Sequence, residues 1–339
     1  MRKPVTILTG FLGAGKTTFL NHLIQKNPNV RYAIIENEYG EKSIDSELIF
    51  RPEDGIVELN NGCLCCTLND NLYDILNDLF DRKEDFDEII IEATGVADPA
   101  GLAEPFLSHP LIKEHFPLMG TVCIVDVEQV ETQIAETEEA LNQITFSETL
   151  VLNKTDLVEG DVTQRVKEKM KQINPLSRVF VGHKNAFPAF DISAQKEAFE
   201  KKLLQEVKDN MPSEGIQIKA NHHHHEHEHT PNIVSFCFTY KTPFNYELLY
   251  HNLFVYLTFQ AKGLYRIKGL LWLDDNEHQV VMQSVGKRMA FDEKRKWESQ
   301  EKKESIIVFI GKDLQENGLR RLLEKCFSPE NKLALKESH

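Results

Sequence analysis

Ten consecutive residues, Thr9-Gly10-Phe11-Leu12-Gly13-Ala14-Gly15-Lys16-Thr17-Thr18, carry the G-x-x-x-x-G-K-[ST] spacing that cradles phosphate. Gly10, Gly13 and Gly15, with Ala14 between, let successive backbone N–H groups turn inward around an anion. A helix starting behind them adds partial positive charge at the same place. Lys16 is expected to reach the β- and γ-phosphates and the Thr17 hydroxyl, with Thr18 next to it, to sit at the Mg²⁺ position. A second motif, Asn153-Lys154-Thr155-Asp156, selects the base. The Asp156 carboxylate can accept from the ring N–H and the exocyclic amine of guanine. Adenine offers an acceptor and a C–H there, and a carboxylate left without donors is costly. GTP and GDP are therefore the expected nucleotides, with Asn153 bracing the loop and Lys154 lying against the base. A third segment, Glu88 to Gly95, reads as a buried strand that delivers Glu92 to the carboxyl edge of a sheet, where ligands bind in open α/β folds. Glu92 is expected to hold Mg²⁺. The Gly95 N–H is expected to contact the γ-phosphate and to let go on hydrolysis.

Three thiols crowd into four positions at Cys63, Cys65 and Cys66. Thiolates at this density can hold one soft or borderline cation, with Zn²⁺ favoured, and they leave one tetrahedral position open for transfer. Oxidation to a disulfide is the competing chemistry. Glu36 and Glu41, in the acidic stretch after the second strand, are candidates for the remaining ligand; the alternative is a solvated acidic loop. A later run, His222, His223, His224, His225, His227 and His229 interleaved with Glu, reads as a flexible collector of Zn²⁺, Ni²⁺ or Co²⁺, or as a solvated linker.

These residues need a scaffold, and the chain supplies one. Short apolar β-rich runs recur at Val5 to Thr9, Tyr32 to Ile35, Ile56 to Leu59, Glu88 to Ile91, Thr121 to Val125, Thr149 to Leu152 and Arg178 to Val181. Helical patterns at Gly15 to Gln25, Asn69 to Phe80, Val127 to Ile144 and Gln195 to Lys208 separate or close them. Such alternation predicts an α/β fold: a P-loop, doubly wound, mainly parallel sheet covered on both faces. Residues 1–208 are expected to form this nucleotide-binding domain and 209–232 a His-rich linker without apolar period. Residues 233–330 have a different rhythm. Strands at Ile233 to Tyr240, Gly263 to Leu273, Gln279 to Ser284 and Ser305 to Ile310, with helices at Asn245 to Leu257 and Asp313 to Cys326, predict a smaller α+β domain of split-βαβ type.

Composition narrows the class further. The length of 339 residues suits two domains. A net charge of −14 argues against nucleic acid or an anionic membrane surface as partner, since both demand basic surface. No apolar run approaches the roughly 20 residues that span a bilayer. Met1 to Pro4 leads almost directly into the first strand and carries no apolar core, so a signal peptide is not expected there. Six cysteines, half of them clustered, do not form the framework of a secreted disulfide scaffold, so a cytoplasmic location is expected.

Together the motifs resemble the CobW-like metallochaperone GTPases of the P-loop class. The similarity runs through T-G-F-L-G-A-G-K-T-T at 9–18, E-N-E-Y-G-E at 36–41, N-G-C-L-C-C at 61–66, E-A-T-G-V-A-D-P at 92–99, N-K-T-D at 153–156, the His-rich linker and G-L-L-W-L-D at 269–274. The resemblance implies that Cys63, Cys65 and Cys66 bind metal in a pocket coupled to the nucleotide site, with Glu36 and Glu41 implicated beside them. It implies slow intrinsic GTP turnover, since no water-positioning glutamine is evident, and delivery of zinc to a client metalloprotein under control of the GTP/GDP cycle. Related P-loop families often pair across the nucleotide, which allows a nucleotide-dependent homodimer. The alternatives are a cobalt-handling GTPase for corrinoid synthesis or another metalloenzyme, and a metal buffer or thiol redox sensor with an uncoupled nucleotide site.

Overall fold

Near-continuous apolar runs that alternate with amphipathic stretches can bury both faces only as a layered α/β sheet, and the chain does so. The structure, a computed structural model, describes residues 2–36, 49–51, 56–60, 68–184, 186–187 and 233–331. The chain divides into two compact units, Met1–Glu200 and Lys201–His339.

The first unit runs β1 (Val5–Thr9), α1 (Lys16–Lys26), β2 (Tyr32–Glu36), β3 (Ile49–Arg51), β4 (Ile56–Asn60), α2 (Leu68–Asp81), β5 (Glu88–Glu92), α3 (Pro99–Ser108), α4 (Pro110–His115), β6 (Leu118–Asp126), α5 (Val130–Glu136), α6 (Glu138–Phe146), β7 (Thr149–Asn153), α7 (Gly160–Ile173) and β8 (Arg178–Val181). The strands form one sheet in the order β3-β4-β2-β5-β1-β6-β7-β8. Every pairing from β4 to β8 is parallel, and only β3 runs antiparallel to its neighbour. This is the doubly wound, mainly parallel fold that the alternation predicts. Leu72, Ile75, Leu76 and Leu79 of α2, with Leu102 and Phe106 of α3, pack over Ile7, Ile35 and Ile91 on one face. Phe19, Leu20 and Leu23 of α1 pack over Leu8, Ile34 and Ile90 on the other. Parallel register therefore brings the carboxyl ends of β2, β5, β1, β6 and β7 to one edge, which is where the chemistry-bearing residues sit.

Local chemistry explains the departures from the expected elements. The single helix predicted over Val127 to Ile144 is two. Thr137 adopts an extended conformation between α5 and α6, and its side chain accepts the Ala140 N–H as the N-cap of α6. Helix α3 was not legible because it holds two prolines. Pro99 sits in the first turn, where a missing N–H costs nothing, while Pro105 lies inside the helix. The helix expected at Gln195 to Lys208 and the linker 209–232 lie outside the described residues.

The second unit runs β9 (Ile233–Tyr240), α8 (Tyr246–Phe259), β10 (Leu264–Leu271), β11 (His278–Val285), β12 (Arg288–Lys296), β13 (Ser305–Lys312) and α9 (Glu316–Glu324). Its sheet is antiparallel throughout, in the order β12-β11-β10-β13-β9. Because β13 lies between β9 and β10, those two strands run parallel with α8 as their crossover, the split βαβ arrangement. Strand β12 was not anticipated. Its sequence, RMAFDEKRK, is dominated by charge because it forms an edge of the sheet, where charged side chains discourage pairing with another chain. Leu249, Leu253, Leu319 and Leu323 of the two helices pack on Ile267, Ile307 and Phe309. The rings of Phe244 and Phe327 stack at 4.4 Å in this core, both fully buried. Phe327→Ala should cost about 3–5 kcal/mol, read as a lower urea midpoint of the full chain. An unchanged midpoint would show that this core does not limit stability. No helix among the described residues is long and apolar enough to cross a membrane.

Candidate functional site: a phosphate-binding loop and its base-recognition edge

The loop after β1 is shaped by backbone that only glycine tolerates well. Gly10, Gly13 and Gly15 all have positive φ. At Gly15, with φ of 97°, an added Cβ would collide with the side-chain amide nitrogen of Asn153. Gly15 is also the N-cap of α1 and offers no side-chain cap, and the first turn of α1 holds no acidic residue. The opening N–H groups of this helix are thus left for an anion. Ala14 is buried below the loop, whereas Thr17 and Thr18 stand exposed at the start of α1.

Lys16 folds back across the loop. Its ammonium donates to the carbonyl oxygens of Gly10 at 2.9 Å and Phe11 at 3.4 Å. Burial lowers its pKa, with Glu92 opposing that shift. The Thr17 hydroxyl donates to Glu92 Oε1 at 2.9 Å across 75 positions of sequence. This pair of hard oxygen donors, one from α1 and one from the end of β5, has the chemistry that Mg²⁺ takes. Thr9, leading into the loop, and Thr94, just before Gly95, keep buried hydroxyls that make no hydrogen bond among the described residues. Such groups are normally satisfied by ligand or water.

The base-side edge is braced in three places. Asn153 ends β7, and its amide donates to the carbonyl of Ala14 at 2.8 Å, tying this edge to the phosphate loop. Lys154 takes a left-handed conformation, φ 62°, and its ammonium pairs with buried Asp126 at 2.7 Å. The Thr155 hydroxyl donates to the carbonyl of Gly182, just beyond β8, at 3.0 Å. Asp156 itself is exposed at the end of this braced turn. Asp126 and Gly182 were missed from sequence. Asp126 follows an apolar strand, as Glu92 does, which was the available signal; Gly182 carried none.

The nucleotide-site candidates, Gly10 to Thr18, Glu92, Gly95, Asn153, Lys154 and Asp156, thus lie along one edge of one sheet. The metal candidates are described only in part. Glu36 closes β2, with its backbone in register with Glu92 on one side and with Asn60, the last residue of β4, on the other. Glu41, Cys63, Cys65, Cys66 and His222, His223, His224, His225, His227 and His229 lie outside the described residues. Among the described residues no cluster of three or more His, Cys, Asp and Glu side chains could hold a metal ion. Cys123 and Cys237 are thiols whose pKa values burial pushes up to about 12, so neither offers a thiolate at neutral pH.

Residues 4–181 match the CobW/HypB/UreG nucleotide-binding domain, and residues 233–327 match the cobalamin synthesis protein CobW C-terminal domain. The zinc chaperone YjiA of Escherichia coli K12 is 32% identical over 321 residues, covering 93% of this chain and 96% of that protein. The zinc-regulated GTPase metalloprotein activator 1 of Dictyostelium discoideum is 30% identical over 322 residues, covering 82% and 65%. A crystal structure of the Zn(II)-bound YjiA GTPase from E. coli superposes with a TM-score of 0.67 at 28% identity, over 97% of this chain and all of that one. With both family domains present in order, the chain belongs to the CobW/HypB/UreG family of nucleotide-binding proteins, in the form that carries the CobW C-terminal domain.

Proposed function

We propose that this protein is a GTP-hydrolysing metallochaperone that loads zinc into a client metalloprotein, with metal affinity set by the bound nucleotide. The observation that carries the reading is the strand register at the sheet edge. Glu92, bonded to Thr17, stands level with Glu36, and Glu36 stands level with Asn60. The chain thus enters both metal-candidate segments, 37–41 and 61–66, from strand ends next to the carboxylate at the Mg²⁺ position. Zinc chaperones and zinc-regulated GTPases among its relatives support the choice of cargo.

Residue roles follow from position. The N–H groups of Gly10 to Thr18 and the ammonium of Lys16 hold the β- and γ-phosphates, for which Lys16 exchanges its carbonyl partners. Thr17 and Glu92 would hold Mg²⁺, which would supply charge neutralisation to the phosphates. Asp156 reads the guanine edge while Asn153 and Lys154 keep its turn in place. Gly95 faces the γ-phosphate. Cys63, Cys65 and Cys66 take the zinc as thiolates, with Glu36 and Glu41 as candidates for the remaining ligand, and the His222 to His229 run collects it. A cytoplasmic location keeps those thiols reduced. Coupling of this kind is reciprocal, so GTP that tightens zinc binding is itself bound more tightly by the zinc form.

The test is zinc affinity by anaerobic chelator competition, with Mg²⁺ and either a GTP analogue or GDP, and with residues 222–229 deleted to isolate the thiols. The analogue should tighten binding at least tenfold, about 1.4 kcal/mol, and Cys63, Cys65 and Cys66 changed to alanine should abolish both states. Equal affinities in the two nucleotide states would sink the GTP-gated reading.

A further inference from the structure

We propose that Gln143 is a positioning residue for the GTP state: from α6 it fixes the Gly95 backbone over the phosphate loop and so sets the preference for GTP over GDP. This rests on the GTP-binding reading above and adds a residue that its motifs do not contain.

Gln143 is 1% exposed, although glutamine is ordinarily a surface residue. Its side-chain amide nitrogen donates to the carbonyl of Gly95 at 3.0 Å and to that of Ala97 at 3.3 Å. An amide NH₂ has two hydrogens, and two carbonyls of the loop, two residues apart, use both. The helix that carries Gln143 is itself held. Ser147 Oγ donates to the Gln143 carbonyl at 2.7 Å. The Asn174 amide nitrogen, at the end of α7, donates to the carbonyls of Ile144 and Ser147 at 2.8 and 2.9 Å, with the Thr145 carbonyl sharing a hydrogen at 3.2 Å.

On its other side the loop meets the phosphate loop. A Cβ at Gly95 would stand 2.6 Å from the Leu12 nitrogen and 2.8 Å from its Cα. Gly95 therefore sits between two fixed bodies, the Gln143 amide and the Leu12 backbone. Glycine has the most backbone freedom to lose. Gln143 fastens the carbonyl on one side of the Gly95 Cα and the Leu12 backbone closes on that Cα from the other, and together they limit the rotations that would turn away its N–H, the group assigned above to the γ-phosphate. GDP has no γ-phosphate, so slackening this contact weakens GTP and leaves GDP untouched. A ligand senses a change only through the groups it touches.

The experiment uses the full-length protein with Mg²⁺. Gln143→Met keeps side-chain length and apolar volume and removes both donors. Gln143→Glu keeps shape and sets a carboxylate against two carbonyls. Affinities for a non-hydrolysable GTP analogue and for GDP are measured beside kcat. Both variants should lose at least tenfold in analogue affinity and in kcat, with GDP affinity within twofold of wild type, which also shows that they fold. Weakening of both nucleotides alike, loss of both, or an unchanged GTP:GDP ratio overturns the proposal while wild-type GTP binding leaves the functional reading standing. A wild-type chain that fails to bind GTP overturns both.

Discussion

Lys16→Ala is expected to lower GTP turnover on the order of 10²–10³-fold, the usual loss when one preorganised donor to developing negative charge is removed. The structure gives the reason. The Lys16 ammonium is held by the Gly10 and Phe11 carbonyls, at the mouth of the loop that takes the phosphates. It is partly desolvated there, so burial depresses its pKa and its interaction with an incoming phosphate is screened less than in bulk water. Beside it the Thr17 hydroxyl and the Glu92 carboxylate are paired with each other, and neither is a cation that could take its place. Phosphate release under saturating Mg-GTP checks this, with the melting temperature as control for folding. Full turnover in a folded Lys16→Ala protein would remove the phosphate-loop assignment and with it the GTPase reading.

The second large effect is expected at the base. Asp156→Asn removes an acceptor for two guanine N–H groups and puts an amide in its place. Charge-assisted bonds contribute about 1.5–3 kcal/mol each, so GTP affinity should fall on the order of 10²-fold or more. Xanthosine triphosphate should gain, because its extra carbonyl accepts from the new amide. The swap should be local. Asn153, Lys154 and Thr155 hold the turn through Ala14, Asp126 and Gly182, and none of these bonds involves the Asp156 side chain. Competition binding with the two triphosphates reads the result. A variant that still prefers GTP would mean that another group reads the base.

How much of this was legible in advance follows from the range of each interaction. The phosphate loop, the N-K-T-D turn and the thiol cluster are contiguous, and each announces its chemistry in a few residues. The alternation of apolar runs with helical stretches announced a parallel sheet covered on both faces, and the phosphate loop after its first strand pointed to the doubly wound form. Legibility ended where local signals conflict with context. Pro105 masks a helix, Thr137 divides one, and the charges of Arg288 to Lys296 conceal an edge strand.

By itself, the sequence determined the fold class and offered a chemical vocabulary: glycines, a lysine and hydroxyls suited to phosphate, a carboxylate suited to guanine, three thiols suited to a soft or borderline metal. Only the tertiary structure decided which of these groups meet. Asn153 reaches Ala14 across 139 positions, Thr17 reaches Glu92 across 75, and Gln143 reaches Gly95 across 48. Strand register, not spacing, sets Glu36 level with Glu92. The physical reason is that backbone propensity and periodicity act over a few residues, whereas a parallel sheet brings distant strand ends to one edge through burial that no short segment encodes.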